Sequence, residues 1–151
     1  MRHYYLTSSV GSGSTELNSF DDALYCSKVA NYNLVKVSSI LPAFAINSSS
    51  IDLAEGEILH TAYAQKTTHK HGETISAAIA VGIPMDTKNI GVIMEFSGEC
   101  SLEVAPKKVS AMVVEAMNKR GYDIKDIVCE AVEAIGDGVQ YKTVFAALAM
   151  W

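Results

Sequence analysis

The stretch Thr74-Ile75-Ser76-Ala77-Ala78-Ile79-Ala80-Val81-Gly82-Ile83 carries no charge and little polarity, and Tyr141-Lys142-Thr143-Val144-Phe145-Ala146-Ala147-Leu148-Ala149-Met150 is likewise nearly all apolar or small, with Lys142 its one charge. A strand with one wet face alternates apolar and polar residues. A strand that is apolar or small at nearly every position has both faces covered. Two such strands therefore predict a layered domain with further elements packed on each side.

Working outward, the pattern yields the remaining layers. Strands are expected at Arg2 to Val10, Asn33 to Ile40, Glu57 to Thr68, Ile90 to Phe96 and Ile124 to Ile135, the last joined to Val139 to Met150 through Gly136-Asp137-Gly138, a hairpin signal. Ser19 with Asp22 makes an approximate capping box, which places a helix near Ser19 to Ala30. Val109, Met112, Val113, Ala116 and Met117 mark the apolar face of a second helix ending at Gly121. The segment from Ala43 to Gly56, with a serine triplet and no sustained period, reads as loop. Many strands with two substantial helices give an α+β layered fold in one domain.

The length of 151 residues suits a single domain, and 49% hydrophobic residues supply a core with apolar surface left for a subunit interface. Twelve Lys and Arg against 17 Asp and Glu leave a net charge of −5, which speaks against nucleic acid or an anionic membrane as partner and suits a cationic small molecule better. Cys26, Cys100 and Cys129 are odd in number and lack Cys-x-x-Cys spacing, so buried reduced thiols are expected, without a disulfide framework or a zinc site. The N-terminal residues show no signal-peptide pattern, and no run has the length of a transmembrane helix. A cytoplasmic protein is the expectation.

Four motifs invite chemistry. Gly11-Ser12-Gly13-Ser14 lacks the third glycine of a dinucleotide fingerprint, Glu16 standing in its place, and no Gly-Lys-Ser/Thr follows, so a turn or a loop close to a ligand is expected. His69-Lys70-His71 could offer two imidazoles to a metal, but its flanking Thr, Lys and Gly read as a solvated hairpin. Glu95, within Val92-Ile93-Met94-Glu95-Phe96, is either a general acid whose pKa burial raises or an outward-facing strand residue. Both readings stand on the residues alone.

Ser38-Ser39 ends an apolar strand, within Val37-Ser38-Ser39-Ile40-Leu41-Pro42. By spacing alone it is a polar strand end. One chemical use exists, given a strained backbone and a stabilised oxyanion: Ser39 Oγ attacks the Ser38 carbonyl and turns the amide into an ester. Elimination then leaves dehydroalanine, which hydrolyses to a pyruvoyl group. Such a ketone can take an amine as a Schiff base and serve as an electron sink for decarboxylation.

Longer motifs in one order bear on that choice. They are Gly11-Ser12, Leu17-Asn18-Ser19-Phe20-Asp21-Asp22-Ala23-Leu24, Asn33-Leu34-Val35-Lys36-Val37-Ser38-Ser39-Ile40-Leu41-Pro42, Thr61-Ala62-Tyr63, Gly72-Glu73-Thr74-Ile75-Ser76-Ala77-Ala78, Gly91-Val92-Ile93-Met94-Glu95-Phe96-Ser97-Gly98-Glu99-Cys100 and Phe145-Ala146-Ala147-Leu148-Ala149-Met150-Trp151. Through them nearly the whole chain resembles the pyruvoyl-dependent arginine decarboxylases, self-processing enzymes that make agmatine.

The resemblance implies an αββα sandwich over residues 1–151, cleaved between Ser38 and Ser39 into a β chain of residues 1–38 and an α chain of residues 39–151. It implies a covalent pyruvoyl group derived from Ser39, Asn33 as the active-site Asn, Glu95 as proton donor, and Asp21 as the carboxylate that holds the cationic end of L-arginine. A homotrimer with active sites between neighbouring subunits also follows from it. The segment Ala43-Phe44-Ala45-Ile46-Asn47-Ser48-Ser49-Ser50 departs from the more Pro- and Glu-containing stretch of the family. That departure bears on the substrate more than on the cofactor. Two other functions remain to be weighed: the same cofactor acting on histidine or lysine, and an unprocessed trimeric ligand-binding protein.

Overall fold

The computed structural model describes residues 1–151. In chain order the elements are β1 (His3–Gly13), α1 (Glu16–Cys26), β2 (Asn33–Lys36), β3 (Ile40–Leu41), β4 (Ile46–Asn47), β5 (Ile58–Thr68), β6 (Thr74–Pro84), β7 (Gly91–Gly98), α2 (Ala105–Lys119), β8 (Ile124–Ile135) and β9 (Tyr141–Met150). They form a five-stranded sheet in the order β2-β5-β9-β1-β4 and a four-stranded sheet in the order β3-β7-β6-β8. The two sheets pack face to face, with α1 outside the first and α2 outside the second. The result is an α+β sandwich of αββα layers.

The two apolar strands lie near the middle of their sheets, and their side-chain alternation explains the lack of polarity. On β6, Ile75, Ala77, Ile79 and Val81 meet Val144, Ala146, Leu148 and Met150 of β9 in the core between the sheets. On their other faces, Ala78 and Ala80 pack beneath Val109, Val113 and Met117 of α2. Phe145, Ala147 and Ala149 pack beneath α1 at Ala23.

Several local expectations are corrected. Helix α1 starts a turn earlier than the Ser19-Asp22 pair suggested, because Thr15 caps it by accepting from Asn18 N at 3.1 Å, and it ends at Cys26 rather than Ala30. Ser19 is buried and hydrogen bonds Glu16 O and Thr143 Oγ1, both at 2.7 Å. Cys26 is exposed on the last turn, not buried. Gly11 and Gly13 belong to β1 and serve helix packing: a Cβ on Gly11 would lie 2.2 Å from Ala23 N and from Ser19 O.

Gly136-Asp137-Gly138 does not close a hairpin, because β8 pairs with β6 in one sheet while β9 pairs with β1 and β5 in the other. His69 to Glu73 likewise carries the chain from β5 in the first sheet to β6 in the second. Both turns are corners between layers. His69 Nε2 lies 3.3 Å from Val139 O and His71 Nδ1 lies 3.1 Å from Asp137 O, so these imidazoles tie the corners together. Within the expected loop, β4 pairs in parallel with the start of β1. No helix is long and apolar enough to cross a membrane.

Candidate active site

The expected strand from Asn33 to Ile40 is broken in two, and the break falls on the serines. β2 pairs in parallel with β5 in the first sheet, ending at Lys36 opposite Thr61. β3 pairs with β7 in the second, Ile40 opposite Val92. Between them, Val37 N donates to Thr61 O at 3.2 Å, and Ser39 O accepts from Ile93 N at 2.8 Å. The Ser38–Ser39 bond therefore bridges the two sheets and is pinned within one residue on each side.

Ser38 is exposed and Ser39 half-buried, so water can satisfy Ser38 and burial alone forces no role on its hydroxyl. Among non-glycine residues only Lys28 (φ 62°) and Phe44 (φ 63°) adopt the left-handed region. The Ser38–Ser39 link thus carries no left-handed strain. Its distinguishing property is topological: the chain changes sheets there.

Glu95 follows Ile93 by two residues on β7. Strand alternation turns it to the same face as Ile93, towards the space between the sheets. Half-buried there, its carboxyl has a pKa raised by loss of hydration, an effect that the charge of Lys36 partly opposes. The outward-facing alternative is set aside by this placement. Glu95 is absent from all three contact ion pairs of the chain, Lys66–Glu99, Lys70–Glu73 and Lys142–Asp137.

Those ion pairs leave Asp21 free as well. It lies exposed on α1, in a stripe with Leu17 and Tyr25 at helical spacing, both more than 70% exposed. Asn33 is exposed at the start of β2, where its Nδ2 donates to Gly56 O at 2.6 Å. One protomer thus brings Ser38, Ser39 and Glu95 to the same edge of the sandwich. Asn33 stands at the far end of β2, about 15 Å of extended chain from Ser38, and Asp21 occupies the outer helical layer.

Two participants had no role in the sequence reading. The Ile93 N–H is a backbone group that no side-chain motif announces. Lys36 was visible only as a polar residue within an apolar strand, and its ammonium lies 4.5 Å from the centre of the Tyr63 ring.

A family model described as pyruvoyl-dependent arginine decarboxylase (PvlArgDC) matches residues 3–151. The chain belongs to this family. Among its relatives, a protein of Methanocaldococcus jannaschii named pyruvoyl-dependent arginine decarboxylase is 40% identical over 139 residues, covering 92% of this chain and 83% of the relative. A protein of the same name from Methanococcus aeolicus is 36% identical over 146 residues, covering 97% and 87%. Another, from Thermococcus sibiricus, is 40% identical over 123 residues, covering 80% and 77%. The match runs through both sheets and both helices, so the Ser38–Ser39 crossing and the Glu95 strand both lie inside the family region.

Proposed function

We propose that this chain cleaves itself between Ser38 and Ser39 and decarboxylates L-arginine to agmatine and CO2 with the pyruvoyl group so formed. The observation that carries the reading is the scissile bond at the sheet crossing, pinned on both sides, with Glu95 two residues along the strand that pins it. The names of the relatives support arginine as the substrate.

Cleavage balances within the chain. Ser39 Oγ bonds to the Ser38 carbonyl carbon as the Ser38–Ser39 C–N bond breaks and the nitrogen takes up the hydroxyl proton. Elimination moves a proton from the Ser39 Cα and releases the Ser38 carboxylate with the former Oγ as one of its oxygens. Water then replaces nitrogen at residue 39, and ammonia leaves. The residues present fit this product: the Ser39 carbonyl that accepts from Ile93 N belongs to the bond with Ile40, which survives, so the new terminus stays attached to β7.

When formed, the pyruvoyl group supplies an amine-reactive carbonyl and an electron sink, the chemistry that decarboxylation of an amino acid requires. Glu95, whose carboxyl pKa burial raises, is suited to deliver a proton to the carbon that has lost CO2. Asp21, unpaired and exposed, can take a guanidinium through two parallel hydrogen bonds. Because Asp21 and Asn33 stand apart from Ser39 within one protomer, we assign the complete site to the boundary between neighbouring subunits of a homotrimer. Exposed Leu17, Tyr25, Phe44 and Ile46 supply apolar surface for such contacts.

Mass spectrometry of the denatured protein tests the cleavage: the expected result is two fragments split at Ser38/Ser39, with Ser39→Ala remaining one inactive chain. An intact chain in a preparation that releases CO2 from arginine would overturn the reading. A panel of arginine, lysine and histidine tests the substrate, with arginine expected to be turned over fastest.

A further inference from the structure

At Ser39 the ladder between β3 and β7 is half made. Two antiparallel residues that face each other at a hydrogen-bonded position each donate to the other. Ile93 N donates to Ser39 O at 2.8 Å, but the return bond from Ser39 N to Ile93 O is not formed. Regular pairing begins one residue later, with Ile40 opposite Val92 and Leu41 opposite Gly91. The nitrogen of the scissile bond is thus left outside the ladder, while the carbonyl on the other side of the Ser39 Cα is held in it.

The donor is rigid. Ile93 is fully buried, and on its other side β7 pairs with β6, Ile93 opposite Val81. β3 is seated closely against β7: Leu41 is buried, and a Cβ on Gly91 would lie 3.1 Å from Leu41 Cβ and 2.8 Å from Gly82 O. The Ile93 N–H is therefore aimed before any reaction begins, and charge that grows on Ser39 O meets a donor with no need to reorganise. Ser38 O, by contrast, accepts from no backbone N–H of the protomer.

The two carbonyls belong to different steps of cleavage. Attack by Ser39 Oγ places charge on Ser38 O. Elimination places it on Ser39 O: as the proton leaves the Ser39 Cα for water, the electron pair of the C–H bond moves into the adjacent carbonyl. The pair then returns to form the Cα–Cβ double bond as the Cβ–O bond breaks and the Ser38 carboxylate departs. Water reaches this point, because Ser38 is exposed and Ser39 only half-buried. We propose that the Ile93 N–H is a catalytic donor in self-cleavage, which holds the charge on Ser39 O as the Cα proton is lost and so speeds elimination rather than formation of the ester. The proposal rests on cleavage between Ser38 and Ser39.

The test replaces Ile93 by its α-hydroxy acid analogue in the full chain made by cell-free translation. This turns the amide N–H into an ester oxygen, keeps the side chain and starts the clock at synthesis. Mass spectrometry of the denatured protein follows cleavage with and without hydroxylamine, which splits a Ser38–Ser39 ester and leaves an amide whole. In the variant, formation of the pyruvoyl-bearing 39–151 chain is expected to slow on the order of 100-fold. Hydroxylamine is expected to release, in larger proportion than from wild type, a 39–151 chain that still begins with serine, since the ester forms and waits.

An unchanged rate of pyruvoyl formation would overturn the proposal, and so would slow cleavage with no gain in hydroxylamine-sensitive chain, which places the effect before the ester or in the fold. The hydrogen bond itself is read in uncleaved Ser39→Ala protein, as a coupling between Ile93 15N and the 13C carbonyl of residue 39. That coupling is expected, and its absence in folded protein would also overturn the proposal. A wild-type chain that stays whole under both treatments would overturn cleavage itself, a failure distinct from that of the donor.

Discussion

A carboxyl whose pKa burial raises is a cost to folding, and Glu95 shows how that cost can be measured. In the unfolded chain Glu95 titrates in the ordinary carboxyl range, and in the fold its pKa is raised. The fold therefore retains a proton that the unfolded chain releases as pH rises through the interval between the two, and stability falls across that interval. Glu95→Gln has no such penalty. It should unfold at a higher temperature than the parent near neutral pH, by a small margin because water still reaches part of this carboxyl. The gain should vanish below the ordinary carboxyl range, where both side chains are neutral. The same change should lower kcat by roughly 100-fold or more, the usual worth of a positioned acid. Calorimetry and single-turnover kinetics on one variant check both. At this scale the sequence was partly legible: a Glu inside Val92-Ile93-Met94-Glu95-Phe96 left a buried acid and an outward-facing residue equally open, and only the family resemblance favoured the acid. The backbone tie of Ser39 to Ile93 was not legible, because the chain changes sheets there and no local spacing encodes that crossing.

Among elements, the junction of β1 and α1 depends most on small residues. The helix backbone lies so close to Gly11 that an added methyl group would meet Ala23 N and Ser19 O at 2.2 Å, both fixed backbone atoms. Gly11→Ala should cost about 3 kcal/mol or more, or prevent folding. Thr15→Ala, which removes only the cap, should cost about 1 kcal/mol. Urea titrations of the two variants would rank them, and a Gly11→Ala protein as stable as Thr15→Ala would contradict the close packing. The corner at Asp137 makes a pH-dependent counterpart. Its carboxylate accepts from Val139 N at 2.8 Å and Gln140 N at 2.9 Å and pairs with Lys142 at 3.3 Å, which lowers its pKa to about 2. A lowered pKa stabilises the fold above the ordinary carboxyl range, and this contribution is lost as pH falls through about 2. Asp137→Ala should therefore lower Tm at neutral pH, with the difference from wild type closing as the solution approaches pH 2. Both sites show why the elements were legible and their connections were not. Gly-Asp-Gly signals a turn in either case, but whether the flanking strands pair or part into different sheets depends on β6, β1 and β5, distant in sequence. Gly11-Ser12-Gly13 resembled a turn for the same reason, since the glycines answer to a helix that the local sequence does not show.

For the whole molecule, the decisive fact is how residues 1–38 are woven into the rest. They supply β1, which pairs with β9 from Tyr4 opposite Met150 to Gly13 opposite Tyr141, and β4 pairs on its other side. They also supply α1, the outer layer over β9, and β2, the edge of the same sheet. Tyr4, Leu6 and Val10 enter the core between the sheets, and Ala23 and Phe20 enter the one beneath α1. A cut at Ser38–Ser39 removes one covalent bond and none of these contacts, and each new end remains hydrogen bonded through Val37 or residue 39. The two fragments should therefore co-elute in native buffer and separate only in denaturant. Refolding exposes the difference more sharply than equilibrium does. In Ser39→Ala the encounter of β1 with β9 is intramolecular, so recovery of far-UV circular dichroism after dilution from urea should proceed at a rate independent of protein concentration. In cleaved protein the same pairing joins two chains, and the rate should fall with dilution. Fragment 39–151 alone lacks β1, which leaves an edge of β9 unpaired beside an uncovered core, and should aggregate rather than recover. A cleaved protein that refolds at the same rate at every concentration would mean that the 39–151 chain forms its structure unaided, contrary to the central place of β1 in the sheet.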